Sequence, residues 1–296
     1  MSGPPRLFDQ SVRDLHRRRA LRRPVSGADF LLRTVADDLA DRLAAVHRSF
    51  PLAADLSPAP IVAERIAATG QVDCLVRLDR IAETCPNIVG DPEMLPFAAA
   101  SLDLVVSALT LHWANDLPGA FAQIRRALKP DGLFLAALLG GETLTELRRC
   151  LAAAESELTG GASPRVAPFA ELRAVGALLQ RAGFALPVID IDRRTVRYDS
   201  ALALMRDLRA MGATNTLHER SRKPMSSALL TRSVEIYAER FSDPDGRVRA
   251  TFDIISLSGW TPHESQQKPL RPGSAKTRLS DALGTVEHPA GEKAGR

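Results

Sequence analysis

The sequence predicts an α/β fold in which a mostly parallel seven-stranded sheet is sandwiched between helices. Two observations carry this. Short, continuous apolar runs such as LDLVVSAL and LFLAALL are the mark of strands covered on both faces, as parallel strands are. These runs alternate with helical patterns, most clearly from Ser101 to Gly141, where a strand, a helix and a second strand follow one another directly.

Taken in order, the chain opens on a basic segment, RDLHRRRALRRP, from Arg13 to Pro24. Arg and Leu at helical spacing read as a solvated helix face, with contact to phosphate, an anionic lipid surface or an acidic partner as the alternative. Leu32, Val35, Leu39, Leu43 and Val46 then form one stripe of a lead-in helix, with Ser26 and Asp29 resembling a capping box at its start. A strand follows from Phe50 to Asp55, a helix from about Pro60, and strands in VDCLVRL, NIV and LDLVVSAL. Asp116 can cap the next helix, with Pro118 in its first turn and Leu117, Phe121, Ile124 and Leu128 along one face, and KPDG stops it ahead of LFLAALL. Beyond Gly141, ETLTELRRCLAAAESEL and FAELRAVGALLQRAGF read as helices parted by Gly160 and Gly161. LPVIDIDRRTVRY alternates as a strand, helices with polar breaks run from Ser200 to Gly246, and TFDIISLSGW is the last strand. From Lys268 onward, Pro, Gly, Ser, Lys and Glu without period give the composition of a disordered tail. The organisation expected is a helical lead-in over 1–48, the α/β domain over 49–267 with a helical insertion at about 200–246, and a tail over 268–296.

At 296 residues, with 45% hydrophobic and 25% charged, the chain can bury a sizeable core. Lys+Arg 39 against Asp+Glu 35 leaves only +4, and no nucleic-acid module is recognisable, so nucleic acid is not an expected partner. No run of about 18 apolar residues occurs, so no transmembrane helix is expected. The N-terminus lacks the apolar stretch of a secretory signal, and Asp9 and Asp14 argue against an organelle transit peptide, so a cytoplasmic location is expected. Cys74, Cys85 and Cys150 are odd in number and form no C-x-x-C pair; they read as buried small apolar residues. No metal-ligand spacing and no Ser-His-Asp or Cys-His arrangement is identifiable.

The stretch GDPEMLPFAAASLDLVVSALTLHWANDLPGAFAQIRRALKPDGLFLAALLGGETLTELR, Gly90 to Arg148, resembles the class I S-adenosylmethionine-dependent methyltransferases: an acid before LPF, then LDLVV, then ALKPDG before an apolar strand. Within that superfamily, LHWANDLPGA, LLGGETLTELR, SPRVAPFAELRAVGALLQRAGF, MRDLRAMGATN and GWTPHESQQKP look like the mitochondrial respiratory complex I assembly factor of methyltransferase fold and its bacterial relatives, from about Phe8 to Leu283. The resemblance implies a Rossmann-like class I methyltransferase fold, S-adenosylmethionine as cofactor, and a protein partner, a complex I subunit among the candidates. The wider group includes enzymes that methylate a carboxylate, while the assembly-factor branch is associated with hydroxylation of an arginine, so fold alone does not fix the chemistry.

The resemblance also assigns site residues. The family's first-strand turn is Asp-Leu-Gly-x-Gly-x-Gly, and glycine lets the backbone bend sharply and approach the ligand. Asp55 and Leu56 are kept, but the glycine positions fall on Ser57, Ala59 and Ile61, with Pro58 and Pro60 between them. The prolines remove two N–H donors and fix φ, so the turn reads as a stiff strand-to-helix connection, with Pro60 placed in the first helical turn. Asp79 matches the acid that accepts from ribose hydroxyls, Asp91 the acid that contacts the adenine amino group, and Met94 or Leu95 would pack on the adenine face. Asp79 as an N-cap and Asp91 as a turn residue are the alternatives. His112, beyond the fourth strand, is the candidate catalytic base, and Trp113 beside it reads as a packing residue or a stacking surface. Gly140, Gly141 and Glu142 form a turn facing the same crevice or capping the next helix, and His263, Glu264, Gln266 and Gln267 form a polar cluster able to hold a peptide side chain. The function expected is a methyltransferase-family protein acting on a protein substrate in complex I assembly. The alternative is a degenerate fold that binds its partner without catalysis. Peripheral membrane contact through the basic N-terminal helix is a further expectation.

Overall fold

The structure, a computed structural model, describes residues 6–267 and 278–286. The chain divides into two units, Met1–Pro262 and His263–Arg296. In the first, helices α1 (Gln10–Arg22) and α2 (Phe30–Ala44) precede β1 (Phe50–Asp55), α3 (Pro60–Ala68), β2 (Val72–Asp79), β3 (Ile88–Val89), β4 (Leu102–Ala108), α4 (Leu117–Ala127) and β5 (Leu128–Leu139). Then come α5 (Thr145–Thr159), α6 (Leu172–Arg181), β6 (Ala185–Tyr198), α7 (Ala201–Ala210), α8 (Ser227–Phe241) and β7 (Val248–Trp260). The second unit contains α9 (Leu279–Leu283). Most of the tail expected over 268–296 lies outside the described residues.

The strands form one seven-stranded sheet in the order β3-β2-β1-β4-β5-β7-β6. Pairings are parallel from β3 through β5, and β7 is inserted antiparallel to both β5 and β6. This is the mostly parallel α/β architecture that the apolar runs predict, Rossmann-like as the resemblance implies. The runs are continuous because both faces of the central strands are covered. Leu133, Leu135, Ala137 and Leu139 of β5 join one core with Leu31, Val35, Leu39 and Leu43 of α2. Phe134, Ala136 and Leu138 point the other way, into a core with Phe121 and Ile124 of α4 and Val175 and Leu179 of α6.

Local signals behave unevenly. Asp116 caps α4 by accepting the Gly119 N–H at 2.8 Å. Asp116→Ala is expected to lower the unfolding free energy by about 1 kcal/mol, as read by urea denaturation; no loss would mean that the packing of Phe121 alone holds the helix start. Asp29 makes no such bond at the start of α2, and its carboxylate pairs instead with Arg33 one turn on. Two cysteine expectations are corrected: Cys150 is buried, but Cys74 and Cys85 are exposed. Cys74 lies on β2, whose outer neighbour β3 pairs with it only at Leu78 and Asp79, so most of that edge is open.

The basic N-terminal helix is not simply a solvated face. α1 lies across the carboxyl ends of the strands and is tied at both flanks. Phe8 donates its N–H to Asn115 Oδ1 at 2.7 Å, Asp9 donates its N–H to Thr216 O at 2.8 Å, and the Asp9 carboxylate pairs with Arg220. Gly212 makes this approach possible: a Cβ there would lie 3.1 Å from the Arg17 Cα, and its φ of +72° is left-handed.

Candidate functional site

Open α/β sheets bind ligands beyond the carboxyl ends of their strands, where the strand order reverses. Here the reversal falls between β1 and β4. At the end of β1, Asp55 is 0% exposed. Its Oδ1 accepts the Ser57 N–H at 2.9 Å, and Ser57 Oγ accepts the Ala108 N–H at 2.8 Å, so a serine at the first glycine position stitches β1 to β4. Ala59 is extended at φ −154° and Pro60 opens α3. None of Ser57, Pro58, Ala59, Pro60 and Ile61 has positive φ, so this turn has no need of glycine. The other Asp55 oxygen has no hydrogen-bond partner among the described residues, Arg77 Nε being 3.6 Å away, and burial pushes the carboxyl up to about 6.

Asp79, at the end of β2, is 4% exposed and fully engaged. Arg17 of α1 grips it with two bonds of 2.6 and 2.7 Å and also donates to Pro58 O at 2.7 Å. The Thr84 hydroxyl and the Arg80 N–H donate to the same carboxylate at 2.7 Å each. Burial opposes ionisation of Asp79, but these donors outweigh it and hold the carboxyl below its usual range. Asp91, beyond β3, takes a bond from Arg80, whose guanidinium also pairs with Asp14 of α1 at 3.1 Å. Its Oδ1 accepts the Glu93 N–H at 2.9 Å in a local turn. Leu95 is turned into the core with Leu78 and Phe121, whereas Met94 is 75% exposed.

The rest of the crevice is open as a cavity of about 790 Å³ between α1, α2, α5, α7 and the ends of β4 and β5. His112 and Trp113 line it from a short helical turn after β4. Burial, with Arg13 adding to it, pushes the His112 imidazole down to about 3, so it is uncharged at neutral pH and a weak proton acceptor there. Trp113 packs edge-on against Phe8 at 5.3 Å. Arg13 lies over the Trp113 ring at 5.9 Å and is 4% exposed. Burial, with Arg17 beside it, pushes the Arg13 guanidinium down to about 9. Gly140 is fixed by packing: a Cβ would sit 2.9 Å from Ile255 Cδ1. Glu142 stands exposed before α5. The His263 cluster belongs to the second unit, where His263 Nδ1 shares a 2.7 Å hydrogen bond with Ser265 Oγ.

S-adenosylmethionine would draw on Asp79, Asp91 and the backbone of the first turn. In this arrangement the residues do not fit it. Both Asp79 oxygens are taken by Arg17, Asp91 is taken by Arg80, Asp55 is sealed, and Pro58 and Pro60 offer no N–H. Of the residues that do this, the sequence reading places Arg17 only in a basic segment, Asp14 only in the argument on location and Ser57 only at a missing glycine, and gives Arg80 no role. The Arg13/Arg17 spacing placed both on one helical face, but only the tertiary partner reveals that this face looks inward.

A methyltransferase domain family matches residues 39–136. The YcgJ protein of Bacillus subtilis has the same fold, with a TM-score of 0.52 at 15% identity over 76% of this chain and 99% of that one, a likeness of fold alone. The arginine-hydroxylase NDUFAF5 of Danio rerio is 40% identical over 263 residues, 86% of this chain and 82% of that relative. The chain belongs to the NDUFAF5 family. The Homo sapiens member is 38% identical over 308 residues, 99% of this chain and 89% of its own length. Membership of the NDUFAF5 family and the methyltransferase-domain match agree with the resemblance drawn from Gly90–Arg148. One expectation is overturned. These NDUFAF5 relatives are named as mitochondrial, which points to a mitochondrial rather than a cytoplasmic location. Acids near an N-terminus were a poor guide to compartment, because addressing depends on receptors and not on how the chain folds. No described helix is long and apolar enough to cross a membrane.

Proposed function

We propose that this chain is a methyltransferase-family enzyme that modifies a protein during assembly of respiratory complex I. The supporting observation is its likeness to proteins named arginine-hydroxylase NDUFAF5 along 82% and 89% of their length. That name is an enzyme's, which favours modification over binding without catalysis. S-adenosylmethionine is the cofactor this reading implies; Asp79 would be free to hold it only with Arg17 of α1 withdrawn, and Asp91 only with Arg80 turned away. The partner is a complex I subunit. Arg19, Arg22 and Arg23, exposed on and just after α1, are the part of the basic segment left for an anionic membrane surface or an acidic partner.

The test is deletion of the gene in its own source, followed by native gel analysis of complex I and intact-mass measurement of its subunits. Deletion should lower assembled complex I and strip one subunit of the mass of a methyl group or of an oxygen. Normal assembly with unchanged subunit masses would refute the reading. Normal masses with failed assembly would return the chain to a binding role.

A further inference from the structure

The cavity behind α1 has an uneven lining. Leu21, Leu147, Leu151, Phe169, Met205 and Met211 give it apolar walls, while four arginines, Arg13, Arg17, Arg33 and Arg165, reach it against one acid, Asp29. Three of the arginines are neutralised: Arg17 by Asp79 at 2.6 Å, Arg33 by Asp29 at 2.7 Å and Arg165 by Glu155 at 2.6 Å. Arg13 is the exception. It is 4% exposed, its guanidinium makes no hydrogen bond or ion pair among the described residues, and its buried Nε has no partner. It lies over the Trp113 ring, with Arg17 beside it, and Asp14 and Asp79 favour its charge from beyond ion-pair distance. A buried cation with no ion-pair partner in direct contact is costly, and Arg presents a planar fork matched to a carboxylate.

We infer that this cavity binds an amphiphile with a carboxylate head on Arg13 and a flexible apolar body along the α5 and α7 walls. The cavity volume of about 790 Å³ lies in the range of small-molecule sites, about 300–1,000 Å³. Met205, Met211 and Met225 at its walls can adapt to an unbranched chain. The inference goes beyond the proposed function, since it needs neither the methyltransferase cofactor nor a complex I subunit.

The test is calorimetric titration of the full chain with three probes of one chain length: dodecanoate, dodecanol and dodecylamine. Dodecanoate should bind one to one and at least about tenfold more tightly than dodecanol, and dodecylamine should not bind. Arg13→Gln should remove the preference for dodecanoate while leaving dodecanol unchanged, and Arg13→Lys should keep part of it. Met211→Trp, which fills the apolar end, should weaken dodecanoate and dodecanol alike. Equal affinity for dodecanoate and dodecanol in the unaltered protein would overturn the inference, as would no saturable binding. Because the head-group comparison uses the unaltered chain, it stands even if Arg13→Gln fails to fold. S-adenosylhomocysteine that binds without displacing dodecanoate would place the two ligands in different parts of the crevice, as inferred; displacement that Arg13→Gln abolishes for both would instead make Arg13 a cofactor contact and overturn it.

Discussion

Arg17→Ala should cost about 3 kcal/mol of unfolding free energy and, in the same protein, open Asp79 to a nucleoside. The pair is largely buried, with side chains 11% and 4% exposed, and its two hydrogen bonds are short. Removing one member of such a pair leaves a desolvated charge, which typically costs about 3–5 kcal/mol. The lower end applies because the Thr84 hydroxyl and the Arg80 N–H still serve the carboxylate. Urea denaturation reads the first effect. For the second, titration with S-adenosylhomocysteine should show binding at least about tenfold tighter than in the unaltered chain, since two acceptor oxygens are released where a ribose would donate. A stability loss under about 1 kcal/mol would mean that the pair is solvated. An unchanged affinity would mean that no nucleoside is held at Asp79.

Acidification should act in opposite directions on two buried groups of this crevice. The ordinary values are about 6.5 for His and 3.8 for Asp. His112 is pushed down to about 3, so as pH falls below 6.5 the unfolded chain takes up a proton that the native chain refuses, and stability is lost until about pH 3. Asp55 is pushed up to about 6, so the native chain takes up a proton before the unfolded one. Its contribution is complete below 3.8 and is lost as pH rises through about 6. Each slope is about 1.4 kcal/mol per pH unit, and between about pH 6 and pH 4 they cancel. His112→Gln should therefore gain stability relative to the unaltered chain over that window, by about 3 kcal/mol in all, and Asp55→Asn should lose a similar amount. Denaturation curves taken at several pH values across the window decide it: parallel profiles for both variants would show that neither group titrates as its burial requires.

The strands were legible because burial on both faces leaves a mark that needs no partner to read. LDLVVSAL and LFLAALL became β4 and β5, whereas nothing in TFDIISLSGW announced that β7 would be inserted antiparallel between β5 and β6. The site was less legible, and for a physical reason. Whether an arginine faces water or a carboxylate depends on what lies across the fold, and the partner of Arg17 is 62 positions away. The same holds for Ser57, whose hydroxyl reads as a defect in a glycine turn until the Ala108 N–H, 51 positions on, is set against it. Cys74 reads as interior from composition, yet its exposure was decided by how short β3 is.

The strap that α1 makes across the strand ends has a consequence for the order of events in synthesis. Asp9 finds Arg220 only after 211 further positions of chain exist, and His16 waits for Thr214. Closing so long a loop is entropically unfavourable, and chains are made from the N-terminus onward, so α1 leaves the ribosome well before its partners and is among the last elements to dock. Until then the strand ends stand uncovered. A molecule destined for the crevice meets its widest entrance in the newborn protein, before the strap has docked.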